Sequence, residues 1–305
     1  MLASPDGILL IFLDGVGIGD GEPAANPFVT AQLPHLRALL GGRLPILSDL
    51  DPSGQIVAGR ALLVRADATL GISGMPQSGT GQTALLTGRN APALFGRHFG
   101  PWVPTGLRAM LGEESLLARA AGAGRRVAYA NAFPLAIGVE RRPIAFTYAA
   151  HAAGLLVRDA TELRAGEAVA SSITHHLWRS HLGTGFPDTT PEDAGRALAR
   201  IAAQAELTVF AHYDTDTAGH RGELAGGVAA LEKVDRFLGA VLAALPEDIL
   251  LVVASDHGNL EDATRGHTRN PVPVIAAGPG RERVAERVRA LTDVAPALLS
   301  LLGID

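Results

Sequence analysis

Three stretches of consecutive apolar residues organise the chain: Ile8–Leu13, Leu207–Phe210 and Ile249–Ala254. They are short, rich in β-branched residues and free of alternation, the pattern of parallel strands buried on both faces. Each runs into acidic residues. Asp14 follows the first, Asp214 and Asp216 the second, and Asp256 the third. Between the strands, helical patterns are predicted at Gln82–Leu86, from Pro191 onward with proline in its first turn, and over Leu291–Ile304.

Strands alternating with helices predict an α/β fold with a mostly parallel, doubly wound sheet. The catalytic core is expected from residues 1–95 and 191–305. Residues 96–190 are expected to form an inserted, smaller α/β cap, because they carry none of the acid and histidine motifs. Strands are predicted there at Val127–Ala130 and Pro143–Tyr148, and a helix at Ala168–Ser180.

Strand ends are where open α/β sheets bind ligands, which gives the acidic residues a chemical reading. Asp256 and His257 are adjacent, and both can face one site only if the chain turns, which Gly258 permits. Asp216 and His220 are four apart, so one helical turn brings them together; Asp214 is an alternative to Asp216 at a less favourable spacing. Carboxylate and imidazole together suit a divalent transition metal. Any one of these Asp residues alone reads equally well as a helix cap or a turn. Ser78, within Met75-Pro76-Gln77-Ser78-Gly79-Thr80-Gly81-Gln82, stands just before a helix, where N–H groups stabilise an anion. It is the candidate nucleophile, with Thr80 as a rival two residues on.

Taken in order, these motifs resemble the alkaline phosphatase superfamily, and most closely its cofactor-independent phosphoglycerate mutase and phosphopentomutase branch. Asp14-Gly15-Val16-Gly17 is similar to that branch's opening Asp-Gly-x-Gly, and Met75 to Gln82 to its nucleophile loop without a gap. Asp216 to His220 resembles its Asp-x-x-Gly-His. Asp256-His257-Gly258-Asn259 and His267-Thr268 follow in family order. The resemblance implies an alkaline phosphatase-like core and two divalent metal ions, Mn²⁺ or Zn²⁺. Asp216, His220 and His267 would hold one ion, and Asp14, Ser78, Asp256 and His257 the other. It further implies attack by Ser78 on a small phosphorylated substrate and a phosphoserine intermediate.

The chain departs from the mutase pattern in three places. Gln82 stands where those mutases have histidine. Lys233, its one lysine, follows the Asp-x-x-Gly-His motif, whereas their catalytic lysine precedes it. Their Asp-Arg substrate motif has no counterpart. Arg141, Arg142, Gln82 and His98 are the candidate substrate contacts. The arginine pair is suited to bidentate grip on a phosphate or carboxylate, although such a pair is more often a solvated surface feature.

Composition narrows the function classes. A 305-residue chain can bury a sizeable core. Its net charge of −5 gives no nucleic-acid footprint, and the absence of cysteine excludes disulfide and thiol chemistry. The first apolar run is too short for a membrane span and lacks the flanks of a signal peptide, so a cytoplasmic protein is expected. A phosphomutase-like enzyme or phosphomonoesterase is therefore the leading expectation. A phosphodiesterase or sulfatase is the alternative within the superfamily, although Ser78-Gly79-Thr80-Gly81-Gln82 lacks the proline and arginine of a sulfatase motif. A non-catalytic binding protein on the same fold is the third, and it should have lost some of the seven ligands.

Overall fold

The computed structural model describes residues 4–133, 142–155, 158–182, 185 and 188–304, with no side-chain description at 181 and 182. A seven-stranded sheet runs through the molecule. Its strands are β1 (Gly7–Leu13), β2 (Gln55–Ala58), β3 (Ala61–Ala66), β4 (Val127–Tyr129), β7 (Leu207–His212), β8 (Ile249–Ala254) and β9 (Val272–Ala277), in the order β2-β3-β9-β8-β1-β7-β4. The four strands β8, β1, β7 and β4 are mutually parallel. β9 and β2 run the other way, and β3 returns parallel to the central four. This is the α/β, mostly parallel sheet that the apolar runs predict.

Every residue of β1, β7, β8 and β9 is buried, because helices cover both faces. Ile8, Leu10 and Phe12 of β1 point to one core, with Leu85 of helix Ser78–Thr87 and Leu298 of helix Val294–Leu301. Leu9, Ile11 and Leu13 point to the other, with Leu198 of helix Pro191–Ala202 and Phe237 of helix Leu224–Ala244. The period-two alternation of a strand thus feeds two apolar cores. His35 has a structural place in this packing. Its N–H donates to the buried Asp235 carboxylate, and its ring covers Gly239 where no side chain would fit.

The division at residues 96–190 is corrected. β4 is an edge strand of the central sheet, with Val127 to Tyr129 registered on Leu207 to Val209 of β7. Helices Leu116–Gly122 and Ala145–Ala152 pack into the same core as Phe12. Most of the apolar residues here complete the main core. Pro143–Tyr148 is not a strand but the start of helix Ala145–Ala152. Ala168–Ser180 is helical only from His176 onward, because Val169–Ala170 (β6) pairs with Asn131–Ala132 (β5) in a two-stranded sheet. That pair, with Leu163 and Trp178, forms a small separate apolar cluster, which is what lies off the main sheet in this stretch.

Candidate metal centre

Asp14 follows the last residue of β1, and its N–H donates to the His212 carbonyl at the end of neighbouring β7 (2.9 Å). The chain then turns at Gly15, with φ +68°, and an added Cβ there would lie 2.5 Å from Asp216 Oδ1. Glycine is required at this position both for the left-handed turn and for the approach of Asp216. Helix Asp214–Arg221 places Asp216 and His220 on one face, with His220 Nε2 3.3 Å from Asp216 Oδ2. The loop after β8 delivers Asp256 and His257, both fully buried. His267 arrives on the loop before β9, its Nδ1 2.8 Å from the Pro76 carbonyl of the serine loop.

These groups converge. Asp14, Asp256 and His257 form one cluster of donor atoms, and Asp216, His257 and His267 another, each with its atoms within 4.8 Å of one another. His257 Nε2 is 3.3 Å from Asp14 Oδ1 and 3.7 Å from Asp256 Oδ2. Its ring stacks on His267 at 4.0 Å between centroids. His267 Nε2 lies 3.0 Å from His220 Nε2 and 3.6 Å from Asp216 Oδ1. His257 therefore joins both clusters, where the resemblance assigned it to one.

Ser78 is the first residue of helix Ser78–Thr87, and its Oγ is 3.0 Å from His257 Nε2. Gly79 is fixed by packing, since a Cβ there would overlap the Trp102 carbonyl. The Thr80 hydroxyl is fully buried and bonded to the Phe99 backbone, both to its carbonyl and from its N–H. Asp214 is ion-paired with Lys233 at 2.7 Å. Both alternatives from the sequence thus have other partners.

The electrostatics are those of a cation site. Burial raises the Asp14 carboxyl and raises that of Asp256 well above the usual range. Burial would lower His257, but the Asp256 and Asp14 carboxylates outweigh it and hold its pKa at about 10. Burial likewise acts to raise Asp216, and the His267 hydrogen bond with the His257 charge brings it instead to about 2. Asp14 Oδ1 and Asp256 Oδ2 are buried without a hydrogen bond. Three carboxylates, orphaned oxygens among them, and imidazole nitrogens facing one another at 3.0 Å fit divalent cations with mixed N/O ligands.

The substrate candidates are placed unevenly. Gln82 is buried, and its Nε2 donates to Asp14 Oδ2 at 3.3 Å, so it touches a candidate ligand. His98 lies near the serine loop, with Nε2 3.3 Å from the Ile72 carbonyl. The Arg142 guanidinium stacks on Trp102 at 4.5 Å, beside Gly79. Arg141 lies outside the described residues.

Two contributors have no role in the sequence reading, Asn259 although it ends the Asp256-His257-Gly258-Asn259 motif. The Asn259 Nδ2 donates to Asp216 Oδ1 at 2.6 Å and to its carbonyl at 3.1 Å. Glu261, 2% exposed, accepts from the Gly17 and Asn259 N–H groups, the Asn270 amide and the Thr268 hydroxyl. Their signal is position alone: both follow Asp256-His257-Gly258 within three residues.

Residues 177–305 match the Metalloenzyme superfamily model. Over 124 residues the chain is 40% identical to the 2,3-bisphosphoglycerate-independent phosphoglycerate mutase of Paracoccus denitrificans (strain Pd 1222), a stretch covering 38% of this chain and 24% of that enzyme. The mutase of Agrobacterium fabrum (strain C58 / ATCC 33970) is 44% identical over 109 residues, 32% of this chain and 21% of its own. The match thus spans about a quarter of the length of these curated relatives. Among solved structures, the PH0037 protein from Pyrococcus horikoshii superposes with a TM-score of 0.59 at 14% identity, covering 99% of this chain and 98% of that one. Alkaline phosphatase from the Antarctic bacterium TAB5 gives 0.56 at 12% identity, covering 100% of both. Residues 177–305 are thus similar to the Metalloenzyme superfamily, and the fold of the chain is alkaline phosphatase-like.

Proposed function

We propose that the chain is a metal-dependent phosphoryl-transfer enzyme that acts on a small phosphorylated metabolite through a phosphoserine at Ser78. The observation that carries the reading is the position of the Ser78 hydroxyl. It lies 3.0 Å from His257 Nε2, at the head of a buried helix, beside the residue that both acid–imidazole clusters share. Asp14, Ser78, Asp256 and His257 would hold one divalent ion, and Asp216, His220 and His267 a second, with Mn²⁺ or Zn²⁺ the expected metals. When bound, the ions would neutralise the phosphoryl oxygens and make the serine hydroxyl acidic enough to react near neutral pH.

The chain's own residues position the reaction. Ser78 Oγ bonds to phosphorus while the bond to the substrate's bridging oxygen breaks, and the proton that Oγ gives up ends on that oxygen. The free alcohol leaves. The Oγ–P bond then breaks as water or another hydroxyl attacks the phosphoserine. The positive end of helix Ser78–Thr87 faces the incoming charge. Gln82 steadies Asp14, and Asn259 steadies Asp216, so both carboxylates keep their orientation. A phosphomutase and a phosphomonoesterase share the first half-reaction and differ in the acceptor of the second.

A hydrolysis screen over phosphomonoesters with Mn²⁺ or Zn²⁺ tests the reading, run beside a phosphate-migration assay on 3-phosphoglycerate and ribose 1-phosphate. Metal-dependent release or migration of phosphate that disappears in Ser78→Ala supports it. Absence of both activities across the screen contradicts it.

A further inference from the structure

A cleft of about 400 Å³ opens at the same edge of the sheet as the metal centre and is lined by Arg65, Arg269 and Arg289 together with Ser53, Gln55 and Asp67. The sheet builds it. Arg65 is on β3, opposite Pro273 of β9. The segment holding Arg289 is bound to the end of β3, with the Asp67 N–H donating to the Arg289 carbonyl at 2.8 Å. Arg269 lies two residues after His267. Thr268 and Asn270, on either side of it, turn inward to Glu261, so by the alternation of an extended chain Arg269 points away from Glu261. Three neighbouring backbone segments therefore bring three guanidinium groups to one cleft.

Three guanidinium groups face one acid, and none of them is paired with it. Among the described residues none of the three forms an ion pair. Asp67, the one acid lining the cleft, already accepts from the Thr69 N–H and hydroxyl and from the Leu70 N–H. Arg289 is tethered by Nη1 to the Ala285 and Val288 carbonyls at 2.8 and 2.6 Å. Arg65 lies over Gly54, where an added Cβ would overlap its guanidinium. Like charges held together repel unless an anion joins them. Arg269 also stands two residues after His267, whose Nδ1 lies 2.8 Å from the Pro76 carbonyl of the serine loop.

We propose that Arg65, Arg269 and Arg289 form an anion-binding subsite that receives a second negatively charged group, a carboxylate or a phosphate, of a phosphoester substrate. The proposal deepens the phosphoryl-transfer reading and, in naming a substrate, rests on it. It makes the preferred substrate a phosphoester with two anionic ends, one at Ser78 and one in the arginine cleft, where guanidinium forks match oxyanion geometry.

Calorimetric titration of the metal-free protein with inorganic phosphate, and separately with citrate, tests the subsite without requiring turnover. One saturable site is expected, with Kd of about 1 mM or tighter for at least one probe. Arg65→Gln and Arg269→Gln, made singly and confirmed folded by their melting curves, should each weaken it about tenfold. The better probe identifies the anionic group. No saturable binding of either probe, or binding unchanged in both variants, overturns the proposal. In the metal-loaded enzyme, the ratio of kcat/KM for 3-phosphoglycerate over p-nitrophenyl phosphate should fall about tenfold in the variants. An unchanged ratio also overturns it. If the wild-type enzyme turns over no phosphoester, the phosphoryl-transfer reading fails, and the calorimetric titration still decides the subsite.

Discussion

The Glu261 carboxylate accepts the Gly17 N–H at 2.9 Å across 244 residues of sequence, and the same carboxylate receives the Thr268 hydroxyl. One buried acid thus ties together the loops after β1, β8 and before β9, which carry Asp14, Asp256, His257 and His267. All four of its partners donate, so a charged acceptor is suited to the position. Glu261→Gln puts an amide donor among donors, and Glu261→Ala leaves them unsatisfied. We expect the alanine variant to lose about 3 kcal/mol of stability and the glutamine variant less. Urea denaturation measures this, and a stability within about 0.5 kcal/mol of wild type for both variants would remove Glu261 from this role.

Asn259 holds Asp216 by two hydrogen bonds from one amide, and Gly219 leaves room for it, since a Cβ there would lie 2.6 Å from the amide carbon. Asn259→Ala frees the Asp216 carboxylate to rotate. Metal affinity should fall about tenfold to a hundredfold, the usual effect of losing a group that orients a ligand. Competition titration with a chromogenic chelator reads the affinity directly. Equal affinities in the two proteins would mean that Asp216 needs no such support, or is not a ligand.

Much of this site is legible in the sequence, and the unread part has identifiable physical causes. β1, β7 and β8 announce themselves because strands buried on both faces need continuous apolar runs, and the acids that follow them stand out by contrast. The Asp216 and His220 spacing predicts their shared face because helix geometry is local. Val127–Tyr129 reads correctly as a strand but not as part of the main sheet, because its partner Leu207–Val209 is far along the chain. Ala145-Phe146-Thr147-Tyr148 looks strand-like by propensity, yet Phe146 and Ala149 pack against the core as a helix, and burial overrides propensity. Glu261 is invisible as a tie, because what it joins is defined only once three distant loops meet. His257 reads as a ligand, but its place between two clusters is a fact of the fold alone.

His212 gives the protein a distinct response to acid. Burial lowers its pKa to about 4, against the partial pull of Asp214. Its Nδ1 lies 2.6 Å from the Ser171 carbonyl and donates to it, and Nε2 is buried without a partner. A proton on Nε2 would therefore have no acceptor. Between pH 6.5 and about 4 the unfolded chain takes up a proton that the folded chain refuses. Stability contributed by neutral His212 is therefore complete above pH 6.5 and lost as the pH falls through that window, by up to about 3 kcal/mol. Measured by denaturation at pH 7 and pH 5, His212→Asn should lose less stability on acidification than wild type. An equal loss in both proteins would contradict the assignment.

Metal should stabilise the folded state. The orphaned Asp14 and Asp256 oxygens and the crowded carboxylates gain a counter-charge on binding. At a hundredfold excess over Kd, one bound ion contributes about 2.7 kcal/mol. Thermal melts with and without Mn²⁺ or Zn²⁺ should differ by several degrees, and Asp256→Asn should shrink the difference. Melting temperatures that do not respond to either ion would argue against a metal centre here.

Trapping the covalent enzyme tests the central claim most directly. The protein, loaded with Mn²⁺ or Zn²⁺, is mixed with a ³²P-labelled phosphomonoester that it turns over, quenched in acid and digested, and the labelled peptide is sequenced. Label on Ser78, lost in Ser78→Ala together with a rate decrease of about a thousandfold or more, is the predicted result. Label on Thr80, or near wild-type turnover by the Ser78→Ala protein, would contradict the account.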